Sequence, residues 1–216
     1  MNLFASPDKV ILCEGIADVR VIENLLRVRG ITGFQVHLPK GGSSDTGGWT
    51  KFGRWLREIV VDPSFPKIRK FVVVADCDER PAARFRDIQG ELRAAGWCGI
   101  PSAPLEVAQR AGVPDINVIM LPWPNQAGNL ETLCLRAIYA KWPRLRWPLS
   151  CFVWLTPARS WGISKQSKSR IACLLSTTCA SKPEATLHTL WQEDARYHFD
   201  LRHHCFDDLA EYLASL

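Results

Sequence analysis

Two acidic clusters follow two apolar runs in this chain. Cys13-Glu14-Gly15-Ile16-Ala17-Asp18 comes after Val10-Ile11-Leu12, and Asp76-Cys77-Asp78-Glu79 comes after Phe71-Val72-Val73-Val74-Ala75. If the runs are neighbouring parallel strands, Glu14, Asp18, Asp76 and Asp78 gather in the crevice at their carboxyl edge, where open α/β sheets place ligands. Carboxylates so crowded repel one another unless divalent cations neutralise them. The chemistry to expect is that of Mg2+, or Mn2+, held by oxygen ligands and acting on a substrate that carries phosphate. Glycine at position 15 allows close backbone approach at the first cluster, and an extended backbone after residue 76 would point Asp76 and Asp78 to one side.

The elements that must position these groups alternate between strand and helix over residues 1–140. Strands are expected at Lys9 to Cys13, Gln35 to Leu38, Phe71 to Ala75 and Asn117 to Leu121; Phe71 to Ala75 is a continuous β-branched run suited to burial on both faces. Helices are expected at Ala17 to Arg29, closed by Gly30, then Trp49 to Val61, Arg80 to Ala95 and Leu130 to Ala140. Trp97 to Pro114 reads as a loop that admits a short helix over Pro104 to Ala111. This order implies an α/β fold: a central parallel sheet of about four strands flanked by helices. Residues 141–216 read as a helical C-terminal extension packed on the same domain, with segments at Ser150 to Arg159, Ser164 to Thr178, Glu184 to Asp194 and Phe206 to Leu216.

Taken together, "apolar strand, Glu-Gly-x-x-Asp, helix" and later "apolar strand, Asp-x-Asp" resemble the Toprim domain of topoisomerases, bacterial primases, ribonuclease M5 and the OLD-family nucleases. The resemblance covers roughly Lys9 to Ala140 and implies a Rossmannoid fold. It implies that Glu14 serves in acid/base work or binds metal, that Asp76 and Asp78 bind metal, and that Asp18 is a further ligand, as in the OLD-like branch. One departure is informative. Topoisomerases and primases continue Asp-x-Asp with a glycine two residues on, whereas Glu79-Arg80-Pro81 follows here. Tyr139, Tyr197 and Tyr212 lack the context of a strand-passage nucleophile, and the zinc-binding and basic subdomains of a primase are missing. The nuclease branch fits best.

Two later segments lean the same way. Gly128-Asn129-Leu130-Glu131 resembles the Gly-x-Leu-Glu segment of such sites, which makes Glu131 an outer metal ligand; the competing reading is a glutamate that opens a helix, where the dipole favours it. Ser164 to Arg170 resembles the stretch that carries the late lysine of OLD nucleases. Lys168 is the preferred catalytic position and Lys165 the second, against the plainer reading of a solvated basic helix end. Lys165, Lys168 and Arg170 are candidates for nucleic-acid contact, as is Lys40 in the loop Lys40-Gly41-Gly42-Ser43-Ser44. That loop exposes backbone N–H groups but lacks the Gly-Lys-Ser/Thr of a Walker A loop.

The charge pattern agrees with a polyanionic partner. Net charge is +5, and between Thr132 and Lys182 there are basic residues but no acidic one. The eight cysteines form no Cys-x-x-Cys pair, which argues against zinc and for buried thiols in a reducing compartment. The histidines have no zinc-site spacing. No apolar stretch suits a membrane span and no secretory signal opens the chain, so the expected location is the cytoplasm. The expected function is a Mg2+-dependent nuclease cutting DNA or RNA. The alternatives are a non-catalytic metal- or nucleic-acid-binding module, or a nuclease subunit that works with a separate ATPase, since the chain has no nucleotide-binding motif of its own.

Overall fold

A computed structural model describes residues 8–39, 48–178, 187, 190 and 197–216. Strands β1 (Lys9–Cys13), β2 (Phe34–His37), β3 (Lys70–Asp76) and β4 (Asp115–Leu121) form one parallel sheet in the order β2-β1-β3-β4. The helices are α1 (Ile16–Arg29), α2 (Phe52–Val60), α3 (Pro81–Ala94), α4 (Leu130–Lys141), α5 (Arg146–Leu155), α6 (Ile163–Thr178) and α7 (Asp207–Ser215). The architecture is α/β and Rossmann-like. The expected helix over Glu184 to Asp194, and Lys40 with its glycine-rich loop, lie outside the described residues.

Side chains alternate across the strands, and the two faces bury different sets. Ile11, Cys13, Val72, Val74, Ile119 and Leu121 face a core shared with α1, α4, α6 and α7. Val10, Leu12, Phe71, Val73, Val118 and Met120 face a smaller core built with α2 and α3. Strands covered on both sides read as continuous apolar runs, which is why β3 and β4 were plain in the sequence. Ile171, Leu174, Leu209 and Leu213 belong to the first core, so the C-terminal helices complete the sheet's covering.

Chain direction fixes where a site can form. From β1 the chain moves to β2 on one side, and it then returns across β1 to β3 and on to β4. Right-handed crossovers therefore put α1 on one face and α2 and α3 on the other. The reversal falls between β1 and β3, and the carboxyl ends of that pair open the sheet's switch-point crevice.

Two local expectations are corrected. Pro104 to Ala111 is not helical: the Ala108 backbone pairs antiparallel with Ile116 (2.8 and 3.1 Å), so this chain covers the free edge of β4. The helix expected at Ser150 to Arg159 instead starts at Arg146 and ends at Leu155, followed by a 3-10 turn at Pro157–Ser160. Pro148 lies in the first turn of α5, where a missing N–H costs nothing. Pro157 forces Thr156 into extended backbone and stops the helix.

Candidate metal and phosphate site

Glu14 leaves the end of β1 and Asp76 ends β3, side by side in the crevice. The Asp76 backbone N–H donates to Glu14 Oε2 at 3.3 Å. Asp18 sits in the first turn of α1 and folds back, its Oδ2 accepting from the Gly15 N–H at 2.7 Å. A Cβ at residue 15 would lie 3.1 Å from that oxygen, which is the close approach the glycine permits. Across the crevice, the N–H of Leu130 at the start of α4 donates to Asp76 Oδ1 at 3.0 Å, a favourable place for a carboxylate. Glu131 follows in the same first turn, and Lys168 of α6 stands with its Nζ 3.7 Å from Asp76 Oδ2.

The charges of these five residues do not balance. Burial, then Glu131 and Glu14, push the Asp18 carboxyl from its usual 3.8 up to about 7, against the Gly15 N–H and Lys168, which pull it down. Asp76 is raised well above the carboxylate range by burial first, then by Asp18, Glu14 and Glu131. Glu131 is raised too, by burial, with Lys168 opposing. Burial pulls Lys168 down, but Asp76 foremost and the other three carboxylates more than reverse this and leave it raised. Asp18 and Asp76 are only 9% and 6% exposed. Four carboxylates thus share one ammonium in a crevice whose floor, at Asp18 and Asp76, is buried.

This donor set fits a hard divalent cation. Among the described residues, no three His, Cys, Asp or Glu side chains converge as a ready-made chelate. Mg2+ does not require one: it commonly binds through one or two carboxylates, keeps several waters and completes its shell with substrate phosphate.

Asp78 stands apart from this group. Its backbone turns left-handed (φ 51°), its carbonyl accepts from the Gly128 N–H at 2.8 Å, and its carboxylate is ion-paired with Arg84. The extended geometry that would have aligned it with Asp76 ends at the strand, so the two side chains diverge. Arg84, which also lies 4.8 Å over the Trp49 ring, was not foreseen, because nothing in the sequence links residue 84 to Asp78 before the turn is known.

The placement of Lys168 depends on a polar seam that sequence reasoning also missed. Asn129 is fully buried: its Oδ1 accepts from the Thr132 N–H at 3.0 Å, and its Nδ2 donates to Ser164 O at 3.1 Å. The Thr132 and Ser167 hydroxyls lie 2.9 Å apart. Glu79 Oε1 accepts from the Ser164 N–H at 3.2 Å, at the start of α6. Asn129 caps α4 through the Thr132 N–H, and its second partner, on α6, lies thirty-five residues further along the chain. Lys165 lines an adjoining groove of about 680 Å³ with Arg80, Arg84, Glu79 and Trp161. Arg170 instead donates to Gln166 on its own helix, at 3.3 Å.

These features define an α/β protein of Rossmann-like architecture with a charge-crowded carboxylate centre at its switch point and a groove of mixed charge beside it. The chain belongs to the family described as Protein of unknown function (DUF3226), whose model matches residues 8–216. No curated protein and no solved structure matches it.

Proposed function

We propose that this protein is a Mg2+-dependent nuclease, with Mn2+ as a competent substitute, that hydrolyses phosphodiester bonds of DNA or RNA. The observation that carries the reading is the placement of Glu14 and Lys168 against Asp76 at the switch point, with Asp18 and Glu131 in the first turns of the helices beside it. Asp76 and Glu14 would hold the metal, with Asp18 and Glu131 reaching it through its waters, and the ion would supply water activation and charge neutralisation at phosphorus. Glu14 is half-buried at the crevice mouth, where its carboxylate can take or return the proton of the attacking water. Lys168, half-exposed, presents its positive charge to the negative charge that builds up on the phosphate oxygens. Lys165, Arg80 and Arg84 line the groove through which the backbone would run. The Toprim resemblance of Glu14, Asp18 and Asp76 supports the same chemistry, and a ligand role for Asp78 would require its release from Arg84.

Among the described residues no helix is long and apolar enough to cross a membrane, and the described cysteines are all free thiols. A cytoplasmic location goes with this reading. The ion pair between Asp78 and Arg84 favours a second one, a non-catalytic module that binds metal or nucleic acid. One assay separates them: supercoiled DNA, single-stranded DNA and structured RNA are incubated with wild type and Asp76→Asn, in Mg2+, Mn2+ or chelator. The nuclease reading expects metal-dependent cleavage reduced by at least about 100-fold in the variant, the scale of losing a transition-state contact. Cleavage that persists in chelator or in the variant refutes the mechanism; binding with no cleavage of any substrate supports the module.

A further inference from the structure

Three tryptophans point away from the core. Trp147 is 76% exposed, Trp154 68% and Trp161 45%, whereas Trp55 and Trp97 are buried in the smaller core. Trp147 and Trp154 lie two turns apart on α5 and project from one face, opposite the buried Leu149 and Val153. Leu155, 73% exposed, borders them. Trp161 follows the next turn and lines the groove with Lys165, Arg80 and Arg84. Large exposed aromatics grouped on one surface mark a binding site.

The charge around them selects the partner. Arg144, Arg146 and Arg159 are exposed within a few residues of these tryptophans along the chain, Arg146 with its guanidinium 5.4 Å over the Tyr139 ring, and the chain from Thr132 to Lys182 carries no acidic residue. Of the three acids that line the groove, Asp78 pairs with Arg84 and Glu79 accepts from the first turn of α6, while Asp87 lies by Arg80 and Arg84 at the end away from the tryptophans' helix. Exposed aromatic faces in a segment that carries only basic charge suit a polyanion whose bases are free to stack. A duplex hides its base faces inside its own stack, while a single strand offers every one of them.

We propose that the groove and the outer face of α5 bind single-stranded nucleic acid. Phosphates lie along Lys165, Arg159, Arg146 and Arg144, and bases stack on Trp161, Trp154 and Trp147. This rests on the nuclease reading only for what happens at the carboxylates; the binding itself needs no cleavage.

The test is fluorescence anisotropy in chelator with a labelled single-stranded oligonucleotide and the matching duplex. The proteins are wild type, Trp147→Ala/Trp154→Ala and Trp147→Phe/Trp154→Phe, each checked by circular dichroism and sedimentation. The proposal expects the single strand to bind at least about tenfold tighter than the duplex. Each tryptophan truncated to alanine should cost roughly tenfold, and the phenylalanine pair should recover most of that. Equal affinity for strand and duplex, or alanine variants that bind like wild type, overturns it. So does a wild-type dimer that the alanine pair makes monomeric with strand binding unchanged, which would make the face a self-association surface. If strand binding behaves as stated but Mg2+ and Mn2+ support no cleavage, the nuclease reading fails and this one stands.

Discussion

Replacing Asp18 by asparagine should stabilise the metal-free protein, and the gain should depend on pH. The carboxyl is lifted by burial, Glu131 and Glu14 from 3.8 to about 7. The folded state therefore holds the proton more tightly than the unfolded chain does. Below about pH 4 both states are protonated and Asp18 costs nothing. As pH rises towards 7 the unfolded carboxyl ionises freely and the folded one does not, so stability falls across that window and levels off above it. At about 1.4 kcal/mol per pH unit, the full cost reaches about 4 kcal/mol. Asparagine is never charged, keeps an oxygen for the Gly15 N–H, and relieves Asp76, to which Asp18 adds repulsion.

The assay is urea unfolding of wild type and Asp18→Asn in chelator at pH 4, 6 and 8. The midpoints should nearly coincide at pH 4 and separate progressively, with the variant more stable by up to about 4 kcal/mol at pH 8. Millimolar Mg2+ should then stabilise wild type more than the variant and narrow the gap, because a ligand that binds only the folded state at 100 times its Kd adds about 2.7 kcal/mol. A variant less stable than wild type at pH 8 in chelator would refute the reasoning: Asp18 would then be ionised and paired, and the crevice would carry no charge deficit for a cation to relieve.

Two substitutions probe how the site is held. Asn129→Ala removes the cap on the Thr132 N–H and the bond to Ser164 O together; urea unfolding should show a loss of roughly 2–3 kcal/mol, and cleavage should fall with it although residue 129 touches no substrate. At Gly162 an added Cβ would run into the Glu79 carboxylate, so Gly162→Ala should displace that exposed side chain from the start of α6 and cost about 1 kcal/mol in thermal or urea unfolding, the worth of the lost bond to the Ser164 N–H, and in a Glu79→Ala background the same change should cost nearly nothing.

How much of this was legible in the residues follows from range. β1 and β3 declared themselves because burial on both faces removes polar residues from a strand, and that placed Glu14 and Asp76 at neighbouring strand ends. Asp18 followed from its place four residues after Glu14, and Glu131 from the likeness of Gly128-Asn129-Leu130-Glu131 to a Gly-x-Leu-Glu segment. Asp78 was misplaced because its direction depends on a left-handed turn closed by Gly128, fifty residues away along the chain. The start of α5 was placed too late because Pro148 reads as a breaker until it is known to lie in a first turn. The tryptophans carried the least information: composition does not distinguish Trp97 in the core from Trp147 on the surface, since only packing assigns them sides.

The C-terminal helices are therefore part of the site and not an appendage to it. A lysine on a helix fastened by apolar contacts alone can slide or rotate by a residue at small cost, because such contacts are non-directional. α6 is fastened at its first turns by directional bonds: Glu79 to the Ser164 N–H, Asn129 to the Ser164 carbonyl and Thr132 to Ser167. Slipping by one residue would break all three and leave the buried Asn129 Nδ2 without its acceptor, so register is costly to lose. Lys168 stands one turn beyond Ser164 and is carried to Asp76 by that register. Glu79 comes from the loop after β3, and Asn129 and Thr132 come from the start of α4, so the elements that present Asp76 and Glu131 also set the lysine that faces them. A truncation before α6 would remove the cation and leave four carboxylates with no protein charge among these five residues to offset them.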